Sequence, residues 1–282
     1  MPVRDSLKAL TTTIIPIFVA AGTVGTFIAR RRFRGTLDAL ERHLEDTQIG
    51  PGPRTDLPPQ IIALAARLGA RSDRPTRTID LRQTGTMWFK PGGRPRAFKA
   101  RQKIGTMVSG FVWRADIGPS GSMKVVDSFV AGRGYLEARL FGALGVARVD
   151  GTTAINEGEA LRYLAELPLN PDAILFDHTL EWSADGTDTI KVAKGCGASR
   201  AEISFQLNDA GLISTMRAAS RSFDASGKRY PWHGRFWDYQ ERSGRLVPMQ
   251  ANVAWVIDGK DFIYWRGTMT RWVARTTSMA CA

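Results

Sequence analysis

Apolar residues follow three different periods along this chain. From Ala9 to Ala29 no charge interrupts the sequence, and the run stops at Arg30, Arg31, Arg32 and Arg34. As a helix rising about 1.5 Å per residue it would be roughly 31 Å long, close to the ~30 Å hydrocarbon core of a bilayer. The pattern predicts a transmembrane helix at 9–29. A secretory signal peptide has a shorter apolar core and a small-residue cleavage site instead of terminal arginines. Beyond the basic cluster, Leu37, Leu40 and Leu44 alternate with Glu41, Arg42, Glu45 and Asp46, the spacing of a short amphipathic helix near the membrane. Gly50-Pro51-Gly52-Pro53 reads as a linker. Ile61, Ile62, Leu64, Ala65 and Leu68 then follow Pro58 and Pro59 at helical spacing, with proline where a first turn accepts it.

From about Thr78 the period changes to two. Runs of β-branched and aromatic residues at 78–89, 96–104, 110–117, 122–130 and 134–140 are separated by Gly, Pro, Ser and Asp. One helical segment interrupts at 157–167, with Asn156 as its expected N-cap and Glu159 three residues on. A second set of strands is expected at 179–183, 187–193, 200–207, 212–222, 229–241, 247–257 and 261–274. The separators Asp185-Gly186, Ser243-Gly244 and Asp258-Gly259 have hairpin-turn chemistry. Connections this short join antiparallel strands, because parallel ones need crossovers of a dozen residues or more.

The expected plan is therefore a tail at 1–8, an anchor at 9–29, a basic juxtamembrane helix and linker at 30–56, a β domain at 57–275 and a tail at 276–282. The fold class is mainly β (α+β), an antiparallel curved sheet or half-barrel around one inserted helix, with an N-terminal transmembrane helix.

Composition sharpens the partner expectations. The net charge of +12 is uneven: residues 1–104 carry 19 Lys and Arg against 8 Asp and Glu, whereas 105–282 carry 20 against 19. A basic excess beside an anchor is drawn to anionic headgroups by about 1 kcal/mol per residue, so a bilayer contacted through Arg30, Arg31, Arg32 and Arg34 explains the charge with less than a nucleic acid requires. Counting basic residues at the two ends of the run places the following domain on the cytoplasmic side. Cys196 and Cys281 form no metal spacing and define no disulfide framework. His43, His178 and His233 do not pair at metal-ligand spacing, and no nucleophile elbow, phosphate loop or dinucleotide fingerprint is present. No cofactor is implied.

Two groups of residues are candidates for chemistry. On the 157–167 helix, Arg162 lies three residues after Glu159 and four before Glu166, so the three meet on one face beside Tyr163. Exposed, those pairs contribute a few tenths of a kcal/mol each. Turned towards the sheet, they form a site candidate. The eight tryptophans all fall in the β region. Alternation places Phe111 with Trp113, Val253 with Trp255 and Ile257, and Phe262 with Tyr264 and Arg266. On a flat face such aromatics are core; on a concave one they line an apolar pocket.

The stretches GFVWRAD at 110–116, VVDSFVAGRGYLEARLFG at 125–142, RYLAE at 162–166, EW at 181–182, PWHGRFWDY at 231–239, VPMQANVAW at 247–255 and YWRG at 264–267 resemble, in order and spacing, a family of bacterial proteins classed only as a domain of unknown function. The resemblance covers about residues 57–275 and implies a meander, an RYLAE-like helix and a second meander. A meander curled round one inserted helix is also similar, more loosely, to the half-barrel of LolA-type lipoprotein carriers.

These readings together predict a protein of the bacterial cytoplasmic membrane, single-pass, whose β domain binds an apolar or amphiphilic ligand such as a lipid. Trp113, Trp182, Trp255 and Tyr264 would line the pocket. Arg162 with Glu166, and Arg266, would meet a polar headgroup or lock the helix. Two alternatives stand beside it: an enzyme with Glu166 as general acid or base tuned by Arg162, or a non-catalytic scaffold docking a membrane partner through its sheet edge or an exposed aromatic patch.

Overall fold

Thirteen strands pair in a single antiparallel sheet whose order, β6-β5-β4-β3-β2-β1-β13-β12-β11-β10-β9-β8-β7, is that of two meanders joined at their first and last strands. The first meander contains β1 (Thr76–Met87), β2 (Arg96–Gly105), β3 (Phe111–Ile117), β4 (Met123–Val130), β5 (Arg133–Leu140) and β6 (Leu144–Asp150). The second contains β7 (Glu181–Asp185), β8 (Thr189–Cys196), β9 (Ser199–Leu207), β10 (Ile213–Ser222), β11 (Arg229–Arg242), β12 (Arg245–Ile257) and β13 (Lys260–Thr276). The computed structural model describes residues 3–73, 76–223 and 227–276, with side chains from residue 25 onward. The mainly β, antiparallel, curved architecture expected from the period-two runs is what the chain adopts.

Turn chemistry fixes the hairpins. Ser243 and Gly244, and likewise Asp258 and Gly259, all adopt positive φ, between 50° and 76°. That is the two-residue turn whose twist matches flanking strands, and it explains why a small or polar residue precedes each glycine. Alternation then sorts the faces. On the inner face Leu81, Phe98, Trp113, Phe205, Met216 and Trp272 join one continuous core, while Val112, Val126, Val130 and Tyr135 form a smaller cluster on the outer face.

That outer cluster is completed by α1 (Val3–Asp46), which puts Phe33, Leu37 and Leu44 against it. Here the expectation of a transmembrane helix at 9–29 is corrected. No helix among the described residues is long and apolar enough to cross a membrane, and the side chains of 9–24 lie outside the described residues. The helix continues without a break through the basic cluster, and the residues on its inner stripe at spacings of four and seven face the sheet. Arg30 donates from Nε to the Phe141 carbonyl at 2.9 Å, so one of the expected headgroup ligands holds a turn of the sheet. Arg31, Arg32 and Arg34 are exposed. A single-pass location with the domain on the cytoplasmic side falls with the transmembrane helix that implied it.

Three shorter helices complete the fold: α2 (Pro59–Arg67), α3 (Thr153–Ala165) and α4 (Ala173–Phe176). Helix α3 begins four residues before the expected start, because Thr152 is its N-cap and accepts from the Ile155 amide at 3.3 Å. Asn156, expected to cap it, instead accepts from the Gly134 amide at 2.7 Å and ties the helix to β5.

Behind α3, Asp172 is buried with Arg245, their atoms 2.7 Å apart, and also accepts from the amides of Arg71 and Thr76. A buried pair that loses one partner leaves an uncompensated charge, at a cost of about 3–5 kcal/mol. Asp172→Asn is expected to lower the unfolding free energy by that amount in urea titrations, and a loss below about 1 kcal/mol would show that Arg245 finds other partners.

Candidate functional site

Because α3 connects β6 to β7, the two free edges of the sheet, it must cross the inner face, where it packs against β4 and β5 on one side and β8, β9 and β10 on the other. Between the helix and the concave face lies a cavity of about 560 Å³. Its walls are apolar and aromatic: Trp113 from β3, Phe236 from β11, Trp255 from β12, and Phe262, Tyr264 and Trp265 from β13. Ring contacts brace that wall, with Trp255 stacked on Tyr264 at 5.8 Å and Phe98 on Trp265 at 5.7 Å between centroids. The volume falls in the range of small-molecule pockets, about 300–1,000 Å³.

The polar side of the cavity is supplied by one face of α3. Glu159, Arg162 and Glu166 are turned towards the sheet. A continuous chain of hydrogen bonds runs from there into the first meander. Trp113 Nε1 donates to Gln83 at 2.8 Å, and Gln83 Nε2 donates to Gln102 Oε1 at 3.1 Å. Gln102 donates to Glu166, which also accepts from Arg162 Nε at 3.0 Å, and Arg162 pairs through Nη1 with Asp127 on β4.

A second branch reaches the other meander. Glu159 lies 3.5 Å from Arg221 of β10, and Arg221 Nη1 and Trp232 Nε1 both donate to the Tyr264 hydroxyl, at 3.4 and 3.1 Å. Each arginine also sits over aromatic faces, Arg162 over Phe111 at 4.6 Å and Arg221 over Trp232 at 4.4 Å. Such cation–π contacts contribute about 2 kcal/mol where water is excluded. Lining the cavity are two arginines and three carboxyls, Asp127, Glu159 and Glu166.

Burial decides how Glu159 and Glu166 titrate. It holds Glu159 well above the ordinary carboxylate range, with the Asp127 carboxylate pushing the same way and Arg221 and Arg162 opposing. Glu166 is also raised by burial, opposed by Arg162 and Gln102. Asp127 Oδ1 and Glu159 Oε2 are buried without a hydrogen-bond donor.

Of the residues expected from sequence, Trp113, Arg162, Glu166, Trp255 and Tyr264 line this cavity. Trp182 does not; it is buried in the core from β7. Arg266 is exposed, because a register shift where Val253 faces Trp265 but Ala254 faces Ile263 leaves Tyr264 as the extra residue. The bulge inverts the alternation, so Trp265 turns inward and Arg266 outward. Asp127, Arg221, Gln83 and Gln102 were not singled out by the sequence; a lone polar residue at an inward position of each strand was the available signal.

An open antiparallel sheet curled around one crossing helix, with an apolar chamber between them, defines a half-barrel. The chain belongs to a family of unknown function (DUF6920), whose model matches residues 55–272. Among solved structures it is similar to a LolA superfamily protein from Nitrosomonas europaea, with 6% identity and a TM-score of 0.42 over 76% of this chain and 93% of that one. It is also similar to a DUF1329 family protein from Desulfovibrio piger, with 11% identity and a TM-score of 0.44 over 78% and 91%. No curated protein matches the sequence.

The raised carboxyls set a pH dependence. A carboxyl whose pKa is higher in the folded than in the unfolded chain binds more protons when folded. Its contribution is complete below the unfolded value of 4.5 and is lost as pH rises towards the folded value. Stability measured by thermal unfolding is therefore expected to fall more steeply as pH rises above 4.5 in the native protein than in Glu159→Gln, whose amide does not titrate. Identical slopes would mean that Glu159 is ionised in the folded state.

Proposed function

We propose that the protein binds an apolar or amphiphilic molecule, of the size and character of a lipid chain, between α3 and the concave face of the sheet. The observation that carries this reading is the cavity itself: about 560 Å³ of space walled by Trp113, Trp255, Phe262 and Trp265 beneath a polar cluster on one helix face. Buried aromatic walls favour burial of hydrocarbon by about 25 cal/mol per Å² of apolar surface removed from water. Arg162 and Arg221 are each held on an aromatic face and on a carboxyl, so they are fixed before a ligand arrives. Donors fixed in this way suit a headgroup oxygen at the polar end of an otherwise apolar guest.

Glu166 fits a bracing role in this arrangement. One of its oxygens accepts from Arg162 and the other from Gln102. A general base needs a free lone pair within reach of a substrate proton, and both of its oxygens already have donors.

Binding of an environment-sensitive naphthylamine dye to the full chain, and its displacement by fatty acids and phospholipids, tests the proposal. Trp255→Ala is expected to weaken dye binding roughly tenfold or more. Ala251→Phe, which puts a ring into the cavity wall without removing a contact, is expected to abolish it. Absence of dye binding and of co-purified lipid in the native protein would overturn the reading.

A further inference from the structure

The face of the sheet opposite the apolar cavity carries a second, polar cavity of about 210 Å³ beside α1. Strand register builds its floor. Arg271 of β13 stands opposite Arg82 of β1, Arg82 opposite Arg101 of β2, and Arg101 opposite Arg114 of β3. Neighbouring strands lie about 4.8 Å apart, so four guanidinium groups stand side by side on adjacent strands. Like charges directly opposite one another destabilise a strand pair.

Two neighbouring cross-strand pairs on this face are of opposite sign. Lys103 stands opposite Asp80, with 3.4 Å between their charged atoms, and Lys124 opposite Asp116 at 2.8 Å. Within the arginine row, Arg114 has Glu41 of α1 at 3.4 Å. Arg82, Arg101 and Arg271 are exposed and have no carboxylate or other side-chain partner among the described residues. Lys103 and Arg275 also line the cavity, both paired with Asp80, at 3.4 and 2.8 Å.

We infer that this arginine row is a binding site for a phosphate-bearing anion, either a soluble phosphorylated compound or the phosphate of a lipid headgroup. Planar guanidinium forks match phosphate oxygens in pairs. An anion shared among Arg82, Arg101 and Arg271 converts their mutual repulsion into attraction. Glu41 holds Arg114 at the edge of the row and closes the site on the α1 side. The site lies on the other face of the sheet from the proposed apolar ligand and does not depend on it.

The test uses the full chain, inorganic pyrophosphate as soluble probe, and phosphatidylcholine vesicles with and without phosphatidylglycerol as lipid probe. Pyrophosphate well above its dissociation constant is expected to raise the thermal midpoint of the native protein by roughly 5 °C, less at high salt. The shift should be kept in Arg96→Gln, which removes an exposed charge outside the row, and lost in Arg101→Gln/Arg271→Gln. Without anion, that double variant should melt above the native protein, because it relieves repulsion; a merely structural role for these arginines would lower its midpoint. If pyrophosphate has no effect but vesicles containing phosphatidylglycerol retain the native protein and not the double variant, the same row takes a lipid-borne phosphate. If neither probe separates the native protein from the double variant, the inference is overturned.

Discussion

The β1–β13 pairing is the constraint on which the rest of the structure depends. Every other strand pair joins strands consecutive in sequence, whereas this one aligns Thr76 with Thr276 across the whole β region. It makes two meanders into one sheet and places their far ends, β6 and β7, at the two free edges. The chain linking those edges has to cross the sheet, and α3 is that crossing. The helix, the chamber beneath it and the facing of Arg162 towards Asp127 all follow from where the seam lies.

The polar cluster in the chamber is a tie between the two meanders. Asp127 and Gln102 come from one side of the seam, Arg221 and Tyr264 from the other, and α3 supplies the groups that connect them. Removing polar groups from water costs several kcal/mol unless each finds a partner, which the ordered chain from Trp113 through Glu166 and Arg162 provides. Asp127 Oδ1 and Glu159 Oε2 are left without a donor.

Much of the architecture was legible in the sequence because local chemistry writes it: period-two alternation, Ser243-Gly244 and Asp258-Gly259 at tight turns, and Arg162 four residues before Glu166. What was illegible depends on contacts distant in sequence. The exposed edge strand β6 shows no burial alternation to read. Whether the Glu159–Arg162–Glu166 face meets water or sheet is set by the seam, not by the helix. Arg266 was misplaced by a bulge of one residue, and Trp182 has the composition of a pocket aromatic but a position in the core. The uncharged run before Arg30 had the length of a membrane span, yet hydropathy alone does not show that the same helix continues to Leu44 against the sheet.

The free edges have a mechanical consequence. In a closed barrel the bore is fixed by the number of strands and their stagger, so a larger guest must break hydrogen bonds to enter. Here β6 and β7 are not bonded to one another, and the distance between them is a matter of curvature. Flattening the sheet slightly is shared among twelve strand pairs and leaves each ladder intact. The chamber therefore behaves as a spring-sided clasp, whose width is set by bending stiffness and by the tension of the α3 crossing, rather than as a box of fixed dimensions.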